Sequence, residues 1–276
     1  ISDAYLMRRG AGDELAAGCA KSQMFHVAQA TIQKSILFYL IKIYTDKIKI
    51  DFMKFVVTGG AGFIGSHIAK YLVKNAHDVV IIDNLARGSI DNFSEIKNKV
   101  EFHNVDISNF DEVSSKIDKP DGIFHQAALA SVPQSFKEPE KYHEVNVIGT
   151  ENIFKIAKKF DAKVVFASSS SVYGDQTHFP IQEDAEKKPL NPYGQTKLDD
   201  EKLASKYAAE GLRVIGLRYF NVYGLGQNPS YAGVIPQFIE KLSQHESPII
   251  EGDGNQIRSF TFIDDVVRAN YLAFES

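Results

Sequence analysis

The feature that most constrains the fold is a glycine-rich segment between an apolar run and an amphipathic stretch. The residues "VVTGGAGFIGSH" place Gly59, Gly62 and Gly65 three positions apart. The run "KFVVT" ends just before them, and "GFIGSHIAKYLVKN" repeats apolar side chains at helical spacing. Glycine permits a tight turn, a close approach of the backbone to a pyrophosphate and close strand–helix packing. The pattern predicts a dinucleotide-binding strand–turn–helix unit, and the alternative is a glycine-rich turn without a ligand.

Apolar runs and amphipathic segments alternate along the chain from Met53 onward. Further buried strands are predicted in "DVVIIDN", "VEFHNVDI", "DGIFHQAA", "AKVVFASSS" and "LRVIGLRYFN". Long helices are predicted in "YHEVNVIGTENIFKIAKKF" and in "LNPYGQTKLDDEKLASKYAAE", which Asn191 would cap. Such alternation is typical of a parallel sheet covered by helices on both faces. We therefore predict an α/β fold with a doubly wound parallel sheet, the NAD-binding Rossmann fold.

The regular alternation fades at about Asn221. A turn-rich stretch precedes "VIPQFIEKLSQ", a predicted helix, and "SFTFIDDVVRANYLAFE", a predicted short strand followed by a helix that Asp264 would cap. We expect residues 53–220 to form the dinucleotide-binding domain and residues 221–276 to form a smaller lobe. Residues 1–52 are expected to be an extension outside the fold. The alternative for them is a helix from about Gln23 to Tyr44 that packs on a neighbour or a membrane surface.

Charge and cysteine content exclude several classes of function. A net charge of −4 gives no basic face for nucleic acid. The one cysteine, Cys19, cannot form a disulfide within the chain, which fits a reducing, cytoplasmic setting. The longest apolar run, "ILFYLI", is far short of the roughly 20 residues that span a bilayer. No nucleic-acid or membrane partner is expected.

Polar side chains end the predicted strands at the edge where a dinucleotide would lie. Asp83 ends the second strand, and a carboxylate there accepts hydrogen bonds from ribose hydroxyls and repels a 2′-phosphate. This favours NAD over NADP, although the nearby Arg87 is able to hold a phosphate. Asp106 and Ile107 follow the third strand and are expected to flank the adenine, with a helix cap as the alternative for Asp106. The other residues expected at the cofactor are Phe63, Ile64, Asn84, Ala127 and Ala128.

A tyrosine and a lysine lie four residues apart in "NPYGQTK". Positions i and i+4 share one face of a helix, so Tyr193 and Lys197 are expected to be neighbours. A nearby cation favours a phenolate, and a phenol with such a neighbour is able to act as an acid or base near neutral pH. The alternative is a helix-surface pair without a role.

Six segments together resemble the extended short-chain dehydrogenase/reductase family: "TGGAGFIG", "HQAA", "NVIGT", "SSSSVYGD", "YGQTK" and "RYFNVYG". Within it, the chain is most similar to the UDP-sugar 4-epimerases. The resemblance implies bound NAD, Tyr193 as catalytic base and Lys197 as the residue that tunes it and holds the nicotinamide ribose. It implies that Ser169 hydrogen-bonds the sugar hydroxyl that is oxidised, and that Asn146 supports the active-site helix. The remaining implied contacts are Tyr219 at the nicotinamide, and Asn221 and Arg258 at the nucleotide diphosphate.

Each implied role has a plainer alternative. In these alternatives, the serines from Ser168 to Ser171 hydrogen-bond the backbone. Asn146 is then a buried structural residue, and Arg258 is a surface cation. His67 and His125 are expected to be structural. The family implies that the helix with Tyr193 and Lys197 is the catalytic helix of an NAD-binding domain at residues 53–220. It implies that residues 221–276 are part of a truncated substrate lobe, since the second phosphate-binding arginine expected there is missing. It also implies a homodimer formed through two helices.

The resemblance implies a redox cycle that starts and ends with NAD+. Tyr193 takes the proton of the C4 hydroxyl while the C4 hydride passes to NAD+, and the 4-keto sugar turns over before both return. Related dehydratases carry an Asp-Glu pair where Ser170 and Ser171 stand here, and related decarboxylases carry a Glu at the second of these positions. A 4-epimerase of UDP-glucose and UDP-galactose, or of their N-acetylated forms, therefore fits best. The alternative from a different functional class is a catalytically silent binder, a protein that binds NAD or nucleotide sugars without turning them over.

Overall fold

A six-stranded parallel sheet forms the centre of the structure, a computed structural model that describes residues 52–227, 233–250 and 252–276. The strands are β1 (Lys54–Thr58), β2 (Asp78–Ile82), β3 (Glu101–His103), β4 (Gly122–His125), β5 (Lys163–Ser169) and β6 (Val214–Tyr219). Their order is β3-β2-β1-β4-β5-β6. The order reverses between β1 and β4, which opens a crevice at the carboxyl edge of the sheet. The predicted doubly wound parallel sheet is confirmed.

Helices cover both faces of this sheet. They are α1 (Phe63–Lys74), α2 (Phe110–Lys116), α3 (Val132–Lys137), α4 (Pro139–Tyr142), α5 (Gly149–Phe160), α6 (Pro192–Ala209), α7 (Val234–Ser243) and α8 (Ile263–Glu275). On one face α1 and α8 pack through Leu72 and Val267. On the other face α5 and α6 pack through Phe154 and Tyr207. The central strands are buried on both sides, which is why they consist of Val and Ile runs rather than alternating sequence.

One predicted helix is interrupted, and another is capped as expected. The segment predicted as one long helix contains a π-helical turn, His143–Ile148, before α5 begins at Gly149. Such turns are rare and often lie at functional sites. Asn191 caps α6 as predicted, because its Oδ1 accepts a hydrogen bond of 2.8 Å from the Gly194 amide. Two short 3-10 helices, Ile90–Lys99 and Ser170–Val172, complete the connections.

The last part of the chain adds a two-stranded parallel sheet of β7 (Asn221–Tyr223) and β8 (Phe260–Phe262). The prediction that Asp264 caps the final helix is wrong. Strand β8 runs directly into α8, so Phe262 is the N-cap residue and no side chain caps the helix. Asp264 lies instead in the first turn, where its charge still favours the positive end of the helix dipole.

Some predictions fall outside the described part of the chain. Except for Phe52, the proposals for residues 1–52, including the helix from Gln23 to Tyr44, cannot be compared with the structure. The domain boundary at residue 220 stays a prediction. Within the described residues, no helix is long and apolar enough to cross a membrane. The same residues hold no group of three or more acidic, histidine or cysteine side chains suited to a metal ion.

Candidate active site at the carboxyl edge of the sheet

The glycine turn between β1 and α1 forms a cradle with no side chain in it. Gly59 has a φ of +67°, and its amide donates to the Ile82 carbonyl at 2.8 Å. A Cβ on Gly65 would lie 2.2 Å from the Gly59 carbonyl oxygen, so only glycine lets α1 start this close to the turn. Gly62 is the N-cap of α1 and provides no capping side chain. The first-turn amides, which include those of Phe63 and Ile64, lack helical acceptors, and this cradle therefore fits a pyrophosphate.

Asp83 follows β2 and ties the strand end to the glycine turn. Its Oδ2 accepts from the Ala61 amide at 3.0 Å and its Oδ1 from the Leu85 amide at 2.8 Å. Burial raises the pKa of Asp83 more than these two hydrogen bonds lower it. The carboxylate stands at the strand tip where the sequence places it. Its contact with ribose hydroxyls stays a prediction.

Asn84 and Asp106 join the ends of the second and third strands. Asn84 Nδ2 donates to Asp106 Oδ2 at 2.8 Å, and Ser108 donates to Asp106 Oδ1 through its amide and its hydroxyl. Burial raises the pKa of Asp106, but these hydrogen bonds outweigh it and hold the pKa below its usual value. The alternative that Asp106 caps a helix is wrong, because Asn109 caps α2. Ile107 beside it is buried and lies against Gly149 of α5.

Asn146 holds the loop after β4 against α6. It is fully buried, at 0 % exposure, in the π-helical turn. Its Oδ1 accepts from the Leu129 amide at 2.8 Å, while its Nδ2 donates to the Leu129 carbonyl at 3.0 Å and to Thr196 Oγ1 at 2.9 Å. The loop so held carries Ala127 and Ala128, whose small side chains leave the sheet edge open.

Helix α6 places Tyr193 in its first turn and Lys197 one turn later. Tyr193 is half-buried, whereas the Lys197 side chain is only 3 % exposed and donates to Asp200 Oδ2 at 3.0 Å. Burial lowers the pKa of Lys197, but the charges of Asp200 and Tyr193 raise it more, so the pKa lies above its ordinary value. The lysine is therefore a fixed ammonium beside the tyrosine. This is the charge that a phenolate base requires.

Ser169 ends β5, the strand next to β4 in the sheet. Its hydroxyl oxygen accepts from the Ser171 amide at 3.1 Å, so its own proton stays available to a ligand. Ser168 has a different role, since its hydroxyl donates to Glu201 at 2.6 Å. Arg218 on β6 holds the same Glu201 with two hydrogen bonds of 2.8 Å. Two serines of the run are thus assigned to different partners.

The histidines have the structural roles expected of them. His125 is buried, and its ring nitrogens lie 2.6 Å from Thr58 Oγ1 and 2.9 Å from Thr150 Oγ1. Burial, helped by the nearby Lys197 charge, lowers the pKa of His125 to about 3, so the ring is neutral. His67 on α1 reaches the Leu225 carbonyl at 3.0 Å.

The remaining predicted contacts lie on β6 and the small sheet. The Tyr219 hydroxyl donates to Gln126 at 3.0 Å and accepts from Asn270 of α8 at 2.7 Å, and burial raises the pKa of Tyr219. This places the hydroxyl on the α8 side of the sheet, so the nicotinamide contact stays a prediction. Asn221 donates to the Ser259 carbonyl at 2.9 Å. Arg258, the residue before Ser259, is exposed and donates to the Ile257 carbonyl at 2.9 Å, so the diphosphate contacts of Asn221 and Arg258 stay predictions.

Three partners of the site were missed by reasoning on the sequence: Asp200, Gln126 and Asn270. Asp200 had a visible signal, because a carboxylate three positions after a helical lysine shares its face. Gln126 lies in the quoted "HQAA" motif. Asn270 gave no signal, since its contact joins positions 51 residues apart.

A comparison with known proteins identifies the family of the chain. A profile described as NAD dependent epimerase/dehydratase family matches residues 55–276. A Methanocaldococcus jannaschii protein with the provisional name UDP-glucose 4-epimerase is 45% identical over 224 residues, covering 79% of this chain and 72% of that protein. A Bacillus cytotoxicus UDP-N-acetyl-alpha-D-glucosaminuronate decarboxylase is 38% identical over 227 residues, covering 80% and 70%.

Solved structures are similar over the same region. The UDP-glucose 4-epimerase of Thermotoga maritima, crystallised with UDP-glucose, superposes with a TM-score of 0.77. It is 37% identical in sequence, and the match covers 81% of this chain and 74% of that one.

Proposed function

Because the chain belongs to the NAD dependent epimerase/dehydratase family and uses NAD, we propose that it catalyses the 4-epimerisation of a UDP-sugar. The substrates would be UDP-glucose and UDP-galactose, or the N-acetylated pair. One observation carries this choice over the other reactions of the family. The turn that holds Ser169 continues with Ser170 and Ser171, and it offers hydroxyls where elimination or decarboxylation would use a carboxylate.

The carboxylates near this turn already have partners. Asp200 is held by the Lys197 ammonium, and Glu201 is held by Arg218 and Ser168. Neither is therefore placed as a free second acid. A 4-epimerase needs one group that takes a proton and later returns it, which Tyr193 provides.

The residues divide the work of the first half-reaction. Tyr193 takes the proton of the C4 hydroxyl, and Ser169 donates its hydroxyl proton as a hydrogen bond to the C4 oxygen. Lys197 provides the fixed positive charge that favours the phenolate. NAD+, which the glycine turn and Asp83 would hold, would supply the acceptor for the C4 hydride and the donor that returns it to the opposite face of the keto sugar.

The second half-reaction reverses these roles. Tyr193 gives its proton back to the C4 oxygen, so protons and electrons balance and no co-reactant is needed. Asn221 and Arg258 would hold the diphosphate while the sugar turns, because a guanidinium matches phosphate oxygens with paired hydrogen bonds. Binding through the diphosphate keeps the keto sugar in the site without fixing its face.

The same proposal includes a homodimer and a cytoplasmic location. In the family that the sequence resembles, α5 and α6 of two copies would form the contact. Size-exclusion chromatography with light scattering tests this part separately from the reaction.

The test is an epimerisation assay on purified protein without added NAD. UDP-galactose and UDP-N-acetylgalactosamine are supplied separately, and the products are identified by NMR. We expect conversion at C4 of at least one, reduced about 100- to 10,000-fold by Tyr193→Phe. Tyr71→Phe is the matched control, because Tyr71 lies on α1 and packs against Tyr271, away from α6.

Other products would redirect the assignment. A 4-keto-6-deoxy product would indicate a dehydratase, and release of carbon dioxide from a UDP-sugar acid would indicate a decarboxylase. Bound NAD without turnover of any nucleotide sugar would indicate a silent binder.

A further inference from the structure

Lys197 has a buried partner that the Tyr-x-x-x-Lys pattern does not include. Asp200 lies one turn further along α6, with its side chain at 0 % exposure against 3 % for Lys197. Lys197 Nζ donates to Oδ2 at 3.0 Å, while no hydrogen bond of normal geometry reaches Oδ1. Removing both charges from water costs several kcal/mol per ion, and replacing such a pair by apolar residues is often neutral or stabilising. The buried pair is therefore weak evidence for a role in stability alone.

The surroundings of the pair are mostly uncharged. Thr150 of α5 approaches the Asp200 carboxylate, and the neutral His125 ring of β4 lies behind Thr150. Burial raises the pKa of Asp200 to about 6, against the opposing effect of Lys197. The charged groups that act on Asp200 are Lys197 and Asp199. Tyr193 and the neutral His125 ring lie near Lys197 instead.

We propose that Asp200 is a positioning residue for catalysis: its carboxylate fixes the Lys197 ammonium beside Tyr193 and balances its charge inside the fold. This rests on the proposed function, in which Tyr193 is the base. A buried lysine without a partner tends to lose its proton, so Asp200 keeps Lys197 charged over a wider pH range. The same carboxylate offsets part of the positive charge that acts on the phenol. Asp200 thus sets the pH range in which the pair works.

Asp200→Asn separates charge from shape. The carboxamide has nearly the same size and still offers an oxygen to Lys197, but the negative charge is gone. Lys197 should then lose its proton at lower pH. While Lys197 is charged, the variant has no carboxylate at position 200 to offset its positive charge, so a larger net positive charge acts on the Tyr193 phenol. We expect both limbs of the pH–rate profile to move to lower pH, the limb set by Lys197 by about 1 to 3 units, the range for an opposite charge within about 4–6 Å.

A second readout does not depend on turnover. In protein labelled with ¹⁵N-lysine, the ammonium signal of Lys197 is assigned by its loss in Lys197→Met. We expect the pH at which this signal disappears to fall by about one unit or more in Asp200→Asn. Asp199→Asn is the matched control, because that neighbouring carboxylate pairs with Lys202 at the surface and should leave the signal unchanged.

The outcomes distinguish this inference from the function on which it rests. A shifted lysine signal without epimerisation in the parent protein would keep the positioning role and remove the epimerase assignment. If Asp200→Asn leaves both the Lys197 ammonium signal and the pH–rate profile unchanged, Asp200 has only a structural role and the inference is overturned. This holds whether or not the melting temperature falls. If Asp200→Asn does not fold, Asp200→Ser removes the same charge and leaves room for a water.

Discussion

Asn146 gives the sharpest test of how the fold supports the site. Its side chain makes three hydrogen bonds in a fully buried position, two to Leu129 and one to Thr196. A buried hydrogen bond contributes about 1 kcal/mol net, and a backbone group left without a partner costs about 1–3 kcal/mol. Asn146→Ala removes all three bonds and leaves the amide and carbonyl of Leu129 unpaired. We expect the free energy of unfolding to fall by about 3 kcal/mol, with a range of about 2–5.

The measurement is urea unfolding of the parent and the variant. The chain has no tryptophan, so far-UV circular dichroism and tyrosine fluorescence serve as the two probes, and their transitions should coincide. Asn75→Ala is the matched control, because Asn75 is exposed and donates one hydrogen bond to the Tyr71 carbonyl at 2.8 Å. The control should lose less than about 1 kcal/mol.

The variant also tests the link to the cofactor. Since Asn146 holds the loop that carries Ala127 and Ala128, the purified variant should retain less NAD than the parent. An unfolding free energy within about 0.5 kcal/mol of the parent, the usual scatter of surface substitutions, would refute the account of Asn146.

Three further changes test other parts of the structure. Gly65→Ala places a methyl group 2.2 Å from the Gly59 carbonyl oxygen, so the variant should lose its bound NAD. Absorbance of the released cofactor after denaturation measures this loss. Gly233→Ala is the control, because open space surrounds Gly233 and this variant should retain NAD. Burial lowers the pKa of His125 in the folded protein to about 3, so between pH 6.5 and 5 only the unfolded chain takes up a proton at this residue. Over this pH range the free energy of unfolding should fall by about 2 kcal/mol more in the parent than in His125→Gln. Urea unfolding at each pH measures the difference. Arg218→Lys loses the paired hydrogen bonds to Glu201 and should lower the free energy of unfolding by about 1–3 kcal/mol. Arg213→Lys, at the exposed Asp161, should change it by less than about 0.5 kcal/mol. Equal effects of the two substitutions in thermal unfolding would contradict the structural role given to Arg218.

The central fold could be predicted because local and global signals agree there. The Val and Ile runs indicate strands that are buried on both faces of a sheet. The glycine spacing indicates a dinucleotide-binding turn because a strand precedes it and a helix follows it. Asn191 was found as a cap because Ncap preference depends on the residue and its near neighbours alone. These signals are local, so no knowledge of distant contacts was needed.

The errors lie where distant contacts decide. Asp264 had the right residue type for a cap, but the pairing of β8 with β7 carries the chain straight into α8. The sequence shows that Asp200 shares a helix face with Lys197, but it does not show that this face is buried. Only the packing of α5 and β4 shows that it is buried against Lys197.

The measurement that tests the central claim most directly follows the hydrogen at C4. A UDP-sugar carrying deuterium at C4 is converted in ordinary water, and the product is examined by NMR. Transfer out and back within one site predicts that the deuterium is retained at C4 of the epimer. It also predicts that Tyr193→Phe slows conversion about 100-fold or more, while Tyr71→Phe does not. Loss of the deuterium to water, or a Tyr193→Phe variant that converts the sugar at nearly the parent rate, would contradict the account.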